Sequence, residues 1–392
     1  MMPLRRRLAV ALGLNQLLSW GSSFYLPAVI ADPAARSIGA SHFAVLGAFT
    51  LALLVTGVCA PRVGKWIDRH GGRGLLALSV VVIAVGQVVL ASAPNLLVWY
   101  AAWSIIGIGM AFGLYDAAFS TTGVLLGKDA GPAITGITLF AGFASTVFWP
   151  LGAALVGVLG WRGLLLLYAT IQVVVNLPMV LLLVPPLTSP PGAIEHAVAP
   201  GAVKRTRRAV ATCLASFFTI RWFITSAIAV NILVLLQGVG LTLNEAVLIA
   251  ALIGPGQVAG RVLEWSIGSH MGLLLRARLG AMLFPLGALI LPMGGPVAAA
   301  AFAVLYGMSN GILTINRGTL PLALLGPRGY STLLGWLAVP VLLAQAGAPT
   351  LTAPLLSVLP ALHLLLLAGG FAALGAALLL PLHLPREEMT GS

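Results

Sequence analysis

The sequence predicts an all-α membrane protein whose twelve transmembrane helices form two pseudo-symmetric six-helix bundles. Three observations carry this prediction: the composition, a series of long apolar runs, and one polar stretch near the middle. Of the 392 residues, 59% are hydrophobic and 8% are charged, and the mean hydropathy is +1.05. In soluble domains, roughly a quarter of all residues are charged. Lipid must therefore be the solvent for most of this chain.

Twelve apolar runs approach or exceed the length of about 20 residues that crosses a bilayer as a helix. Gly and Pro are frequent, at 46 and 25 residues, which helices buried in a membrane tolerate better than soluble ones. Arg5, Arg6 and Arg7 precede the first run as in a signal peptide, but no small-residue cleavage site follows, so we expect a retained helix. The predicted spans are 8–30, 42–62, 75–93, 96–126, 133–159, 163–184, 217–238, 243–267, 279–294, 296–325, 334–357 and 360–383.

The basic residues predict the orientation in the membrane. An even number of spans puts both termini on the same side. With both termini in the cytoplasm, only Arg36 and Arg162 of the 21 lysines and arginines fall in segments on the far side. Basic residues concentrate in cytoplasmic loops of membrane proteins. We therefore expect a multi-pass protein of the bacterial inner membrane with both termini cytoplasmic.

The longest polar stretch separates the sixth span from the seventh. It opens with two prolines and closes on KRTRR, which predicts a cytoplasmic linker at 185–208 between an N-terminal bundle (1–184) and a C-terminal bundle (209–392). The glycine pair Gly109 and Gly113 in span four recurs as Gly307 and Gly311 in span ten. This recurrence at about half the chain length favours a duplicated six-helix unit, the arrangement by which many transporters build a central site.

Several function classes are excluded by the same residues. The formal net charge of +12 comes from short clusters between apolar runs, which fits loops facing anionic lipid rather than nucleic acid. The two cysteines, Cys59 and Cys213, make neither a disulfide framework nor a metal cluster. No phosphate-binding loop or nucleophile motif occurs. We therefore predict no enzyme activity, no metal and no cofactor, and we expect a monomer.

The loop between spans two and three carries the most specific motif. Residues 64–73 read GKWIDRHGGR, which resembles the G-x-x-x-D-[RK]-x-G-[RK]-[RK] signature of the major facilitator superfamily. Gly64 would let two helix ends approach, and Gly71 would permit the tight turn. Asp68 would bind the positive end of a neighbouring helix or an arginine, latching the halves in one state. Arg69 and Arg73 would hold the loop at the cytoplasmic face.

A finer resemblance is to the monocarboxylate-porter branch of that superfamily, which includes bacterial oxalate and lactate carriers. The residues that carry it are Trp20-Gly21 in span one, the glycines between 107 and 142, GWR at 160–162 and GPGQVAGR at 254–261. The resemblance implies that Arg261 binds the substrate carboxylate. The oxalate type also uses a lysine in span eleven, where this chain has Gln345, which argues against a dicarboxylate.

Asp116 in span four is a candidate proton-coupling residue because charges at bilayer depth are costly and usually functional. It lies about ten residues from the cytoplasmic end of its span, roughly 15 Å deep, with no lysine or arginine within a turn in sequence. An unpaired carboxyl group away from water binds a proton readily. The alternative is a structural ion pair with an arginine of another helix.

Arg317 in span ten is a candidate anion ligand, flanked by Asn316. In the resembled superfamily, spans one, four, seven and ten line the central cavity, so Asp116 and Arg317 would approach each other there. The guanidinium would either bind a carboxylate bidentately or form a conformation-dependent salt bridge with Asp116. We also expect Tyr115 to shape the substrate pocket.

Arg261 and Gln257 lie one turn apart in span eight and are further candidates for substrate binding. Glu264 follows Arg261 at the i+3 position and could instead neutralise it. Arg221, beside Trp222, is expected to mark the cytoplasmic start of span seven by snorkelling to the interface.

The predicted function is secondary active transport by alternating access, coupled to protons as symport or antiport, of a small organic anion such as a monocarboxylate. One alternative is an efflux pump for drugs or arsenite-like metalloids, which some small bacterial facilitators export. Cys59 is poorly placed to bind arsenite. Another alternative is a membrane receptor or scaffold without transport activity.

Overall fold

The computed structural model describes residues 3–187, 202–267 and 270–384, and the regular elements there are all helices. Most of the predicted linker at 185–208 lies outside these residues. The α-helices of the described residues are α1 Leu4–Ser22, α2 Pro27–Ile38, α3 His42–His70, α4 Arg73–Ala91, α5 Leu96–Gly113, α6 Tyr115–Leu126, α7 Gly131–Ala141, α8 Ala144–Ile171, α9 Leu177–Leu183, α10 Ala202–Gly238, α11 Leu243–Ala251, α12 Ile253–Ile267, α13 Leu273–Ile290, α14 Gly295–Leu325, α15 Tyr330–Val358 and α16 Ala361–Ala377.

Eight helical stretches of the described residues are long and apolar enough to cross a membrane. The longest covers Leu96–Leu183, 88 residues, and as a straight helix it would measure about 130 Å. It contains three passes instead, because the chain turns back on itself. One reversal is at Gly160, whose φ of 68° lies in the left-handed region. Beyond it the ring of Tyr168 packs 5.3 Å from the ring of Phe148.

Several spans are built from two helices that meet inside the bundle. The first span consists of α1 and α2, and the fourth consists of α5 and α6, which are separated by the extended residue Leu114. The fifth combines α7 with the first part of α8, and the eighth combines α11 with α12. Helices α1–α9 form the N-half and α10–α16 form the C-half. Interrupted helices expose backbone groups inside a membrane protein, where substrate sites are usually built.

The start of span seven differs from the prediction. Helix α10 begins at Ala202 rather than at 217, so Arg221 lies in its middle. The side chain is buried, with 2% of its surface exposed. Arg221 therefore does not snorkel to an interface, and that prediction is wrong. The apolar pattern could not place the start, because the basic residues 204–208 continue the same helix beyond the apolar run.

Glycines allow very close contact between α12 and α14. A Cβ at Gly256 or Gly260 would overlap the backbone of α14, and one at Gly307 or Gly311 would overlap the backbone of α12. In the N-half, Gly107 of α5 packs in the same way on the backbone of α3. Small residues let membrane helices approach closely, and van der Waals packing then replaces the hydrophobic effect.

The two halves are closed at one end of the bundle. We define the basic end as the end that carries the α3–α4 turn, Lys128 and Arg328. There α3 packs on α15, and a Cβ at Gly64 would overlap the carbonyl oxygen of Ser331. The ring of Tyr330 occupies the space beside Gly123 of α6. Toward the other end, α8 packs on α1, α2 and α4, and α11 packs on α10, α12 and α14, within their own halves.

This packing predicts that Gly64→Ala opens the basic end. The added methyl group overlaps backbone atoms that have no room to move, and overpacking of this kind costs about 1–3 kcal/mol. We expect a cysteine introduced at Ser120, on the wall of the internal cavity, to react faster with an impermeant maleimide added from the basic end. The background carries Cys59→Ser and Cys213→Ser.

The matched control is Gly57→Ala on the same helix. A Cβ there would lie 3.5 Å from the side chain of Leu342, an ordinary van der Waals distance. We expect labelling at the level of the unsubstituted protein. Equal labelling of the two variants would contradict the role that we assign to the contact at Gly64.

Candidate functional site

A cavity lies between the two halves and is lined by α1, α3, α5, α6, α10, α14 and α15. These include helices of spans one, four, seven and ten, as the resemblance implied, together with spans two and eleven. The lining residues are Trp20, Phe24, Leu53, Thr56, Ala60, Val63, Gly64, Met110, Ala111, Leu114, Tyr115, Asp116, Ala117, Ser120, Trp222, Arg317, Ser331, Gly335, Leu342 and Gln345.

An ion pair across the two halves forms the charged part of the cavity wall. Nη2 of Arg317 lies 2.7 Å from Oδ2 of Asp116. Asp116 is the second residue of α6, since α5 ends at Gly113 and Leu114 is extended. The broken span thus places a carboxylate at a helix N-terminus, where the helix dipole favours negative charge.

The ion pair is monodentate. Only one carboxylate oxygen of Asp116 contacts Arg317, and the buried Oδ1 has no hydrogen-bond partner among the described residues. The side chains remain partly open to the cavity, Asp116 to 25% and Arg317 to 12%. The guanidinium also lies over the ring of Trp222, 5.4 Å from its centroid. A partly open pair with one contact can be broken more easily than a bidentate one.

Aromatic rings of the N-half form another part of the wall. The ring of Trp20 lies 4.8 Å from that of Tyr115 and 4.6 Å from that of Phe24. The ring of Tyr115 is stacked on that of Phe119 at 5.1 Å. The indole Nε1 of Trp20 donates a hydrogen bond of 3.1 Å to Oε1 of Gln16.

Gln16 connects this wall to a buried network of amide and hydroxyl side chains. Its Nε2 donates to Oδ1 of Asn15 at 2.9 Å and to the carbonyl oxygen of Gly113 at 2.6 Å. Asn15 in turn donates to Oδ1 of Asn176 at 3.0 Å. Asn176 ends a π-helical turn at Gln172–Asn176, a local widening that often accompanies functional sites. The network thus fixes α1 against span six and orients Trp20.

Asn15 and Gln16 stand out in the sequence as polar residues within the first apolar run, but the sequence does not show their partners. Gln172 and Asn176 are spaced by four residues and share one helix face, and Asn176 donates to Oε1 of Gln172 at 2.6 Å. This i, i+4 spacing of two amide side chains in an apolar run was the sequence signal for a polar helix face. The contact with α1 depends on tertiary packing across more than 150 residues of sequence.

Arg261 is not a lining residue of the cavity and lies at the contact between α12 and the end of α7. It is buried, with 6% of its surface exposed, and its Nη1 occupies the position that a Cβ of Gly142 would take. Nε and Nη1 have no hydrogen-bond partner among the described residues. Glu264 does not neutralise Arg261, because it forms an ion pair of 2.7 Å with Arg276 instead.

The predicted substrate residues therefore fall into two groups. Tyr115, Asp116 and Arg317 meet at the cavity wall, whereas Arg261, Gln257 and Asn316 are not among its lining residues. Asn316 is fully buried, and its Nδ2 has no partner among the described residues.

Arg221 is a second buried cation, which the sequence pattern had placed at the membrane interface. It donates to Oδ1 of Asn310 at 2.6 Å, to Thr225 at 3.1 Å and to Ser309 at 3.3 Å. Its guanidinium lies over the ring of Tyr306, 5.5 Å from the centroid. Neutral dipoles and aromatic faces thus hold this charge, and no carboxylate of the described residues lies within 4.0 Å.

The α3–α4 turn has the geometry of a latch. Asp68 accepts hydrogen bonds from the backbone amides of Ser331 at 3.2 Å and Thr332 at 2.9 Å, and from the Thr332 hydroxyl at 2.6 Å. These residues form the first turn of α15, so the carboxylate sits at the positive end of that helix. Gly71 adopts a φ of 76°, which favours glycine.

The two arginines of this turn, Arg69 and Arg73, have different surroundings. Arg73 donates to the carbonyl oxygen of Leu181 near the end of α9, at 2.6 Å, so it ties α4 to the last turn of span six. Arg69 is exposed on the outer side of α3.

Comparison with known proteins agrees with this architecture. The chain is 31% identical over 154 residues to an uncharacterized 38 kDa protein in the 23S RNA operon of Thermoproteus tenax, and the match covers 39% of this chain and 40% of that protein. The chain thus spans about two fifths of the length of this relative.

Two solved structures share the fold. The human organic anion transporter TETRAN superposes with a TM-score of 0.74 at 16% identity, over 96% of this chain and all of that one. The fucose:proton symporter FucP of E. coli superposes with a TM-score of 0.71 at 16% identity, over 95% of this chain and 98% of that one. The predicted fold class is confirmed. The monocarboxylate-porter branch remains a prediction.

The family follows from the sequence itself. The model of the Major Facilitator Superfamily matches residues 12–339, which is most of the chain and includes the ion pair, the turn at Asp68 and most of the cavity lining. The family and the solved neighbours are transporters rather than enzymes. The chain is therefore a multi-pass membrane transporter that belongs to the major facilitator superfamily.

Proposed function

We propose that this protein is a proton-coupled secondary transporter of a small organic anion. Arg317 binds the anion in the central cavity, and Asp116 carries the proton. The observation that carries the proposal is the monodentate ion pair between these residues, which joins the two halves at the cavity wall.

The ion pair couples anion binding to protonation. The carboxylate of Asp116 and the carboxylate of a substrate compete for the guanidinium of Arg317. A proton on Asp116 removes its charge and weakens its hold on Arg317, so the anion binds more tightly to the protonated protein. By linkage, the bound anion raises the affinity for the proton by the same factor. Anion and proton therefore travel together, which favours symport.

The balance of buried charge also favours an anion. Arg221 and Arg261 are buried in the same half as Arg317, and neither contacts a carboxylate of the described residues within 4.0 Å. Among the lining residues of the cavity, Asp116 is the acidic residue that offsets the charge of Arg317. Because cations at bilayer depth are costly, an anion in the cavity stabilises the protein where a cation would not.

Alternating access requires the contacts at the basic end to open. The Asp68 contacts with α15 and the packing of Arg261 on Gly142 both join the two halves. When α7 and α12 separate, the unpartnered nitrogens of Arg261 become available to the substrate. Arg261 and Gln257 thus act as anion contacts in the state that is open at the basic end, which we assign to the cytoplasmic side of a bacterial inner membrane.

The efflux of drugs or arsenite is the second candidate. The observation that favours it is the apolar and aromatic lining of the cavity, with Leu53, Met110 and Leu342 beside the rings. A neutral solute, however, would leave the charge of Arg317 without a ligand whenever Asp116 binds a proton.

The first prediction concerns proton coupling. In proteoliposomes with an imposed proton gradient, we expect the protein to accumulate a carboxylate, with binding that strengthens as pH falls because protonation removes the competing charge. Asp116→Asn is expected to bind the anion at a level independent of pH, to retain exchange of internal for external anion, and to lose accumulation. Scintillation counting of a radiolabelled substrate measures both modes.

Asp129→Asn is the matched control, since Asp129 is exposed near the basic end and lies outside the cavity. It should accumulate substrate like the unsubstituted protein. Full proton-driven accumulation by Asp116→Asn would refute the coupling role of Asp116.

The second prediction concerns the anion ligand. Hydrogen bonds to charged groups contribute about 1.5–3 kcal/mol, so Arg317→Gln should weaken carboxylate binding by about 10- to 150-fold. Isothermal titration of the purified protein measures this change. Arg162→Gln serves as the control, because Arg162 bonds to Ser37 and Ala93 at the opposite end of the bundle. An unchanged affinity in Arg317→Gln, or equal losses in the two variants, would remove Arg317 from the substrate site.

A further inference from the structure

We infer that the substrate is a monoanion with a flat, unsaturated or aromatic body, which binds between aromatic rings of the two halves. This inference rests on the proposed function, because it takes the central cavity as the substrate site. It goes further by naming the chemical class of the anion.

The N-half contributes rings whose positions are fixed before the substrate binds. Trp20 and Tyr115 both line the cavity, with ring centroids 4.8 Å apart. Trp20 is held by its hydrogen bond to Gln16, which belongs to the buried amide network, and Tyr115 is held by stacking on Phe119. Preorganised rings lose little conformational entropy on binding.

The C-half contributes Trp222 beside the charged group. Trp222 lines the same cavity, and its ring lies under the guanidinium of Arg317. The ring of Phe218 packs edge-on against Trp222 at a centroid distance of 5.8 Å, which helps to hold the indole in place. A carboxylate bound to Arg317 therefore has an aromatic face next to it, and a flat body attached to that carboxylate can stack.

The rest of the lining argues against polyhydroxy substrates. The hydroxyl of Thr56 is already bonded to the carbonyl oxygens of Ala52 at 2.8 Å and Gly107 at 2.9 Å. Leu53, Val63 and Leu342 provide no hydrogen-bonding groups. Ser120 and Ser331 are the other hydroxyl side chains of serine or threonine on the wall. A sugar would place some of its hydroxyl groups against the apolar side chains, where an unpaired polar group is costly.

The lining also argues against a dianion. Among the residues that line the cavity, Arg317 supplies the guanidinium, and Gln345 is the other long polar side chain on the C-half wall. A second carboxylate would meet an amide or an apolar side chain there. A ligand with one negative charge and a flat apolar body matches the one guanidinium and the aromatic rings of this lining.

The test compares benzoate, cyclohexanecarboxylate, acetate and oxalate by isothermal titration of the purified protein. Benzoate and cyclohexanecarboxylate have similar size and charge, but only benzoate is flat and aromatic. Ring pairs contribute enough for about a 2- to 10-fold change in affinity each. We expect benzoate to bind about tenfold more tightly than cyclohexanecarboxylate, and oxalate to bind weakly.

Trp20→Leu and Trp222→Leu should each weaken benzoate binding several-fold more than they weaken acetate binding, and the acetate binding that remains shows that the variants are folded. Trp336→Leu is the control, because Trp336 is exposed on α15 and is not a lining residue. Trp20→Phe and Trp222→Phe should restore part of the benzoate affinity.

The outcomes separate this inference from the proposed function. If benzoate and cyclohexanecarboxylate bind equally and Arg317→Gln weakens both, the flat body is refuted and the anion transporter stands. If the tryptophan variants bind benzoate as the unsubstituted protein does, binding between the aromatic rings of the two halves is refuted. If no carboxylate binds while neutral or cationic drugs do, the inference and the proposed function both fail.

Discussion

The cost of a charge in lipid is the constraint on which this structure depends. A cation or a carboxylate at bilayer depth must find a partner or lose its charge, and the chain satisfies this requirement in two different ways. In the C-half, Arg221 is surrounded by hydroxyl groups, an amide oxygen and aromatic faces. Asp116 and Arg317 instead use each other, one from each half. The two charges thus form one of the contacts between the halves, and a movement that separates α6 from α14 breaks their pairing.

Close packing at the basic end complements this electrostatic contact. Gly64 and Gly123 of the N-half each accept a backbone or side chain of the C-half in the place of a missing Cβ. Such contacts add little directional energy but require close approach over many atoms, so they form or break together. The carboxylate of Asp68 at the start of α15 adds a directional element to the same surface. A rocking transporter needs a closure that is tight and reversible, and this combination supplies both.

The interrupted helices place the polar groups. Because α5 ends at Gly113 and α6 begins at Tyr115, with only Leu114 between them, Asp116 lies at a helix N-terminus inside the bundle rather than along a continuous helix. The carbonyl oxygen of Gly113, freed by the break, accepts a hydrogen bond from Gln16, which also orients Trp20. The break thus positions an ionisable group and an aromatic wall together.

The sequence by itself determined the fold class and the family motif, and it singled out Asp116, Arg317 and Asp68 as candidate residues. Hydropathy reports whether a residue faces lipid or water, and a charge in an apolar run is visible without a structure. Only the tertiary structure decided which charges meet. It selected the ion pair of Asp116 with Arg317 from the two alternatives that the sequence left open, gave Glu264 to Arg276 rather than to Arg261, and moved Arg221 from an expected interface into the core. The physical reason is that helix–helix contacts depend on which faces pack and at what depth. Apolar runs that are hydrophobic on every side do not encode that information locally.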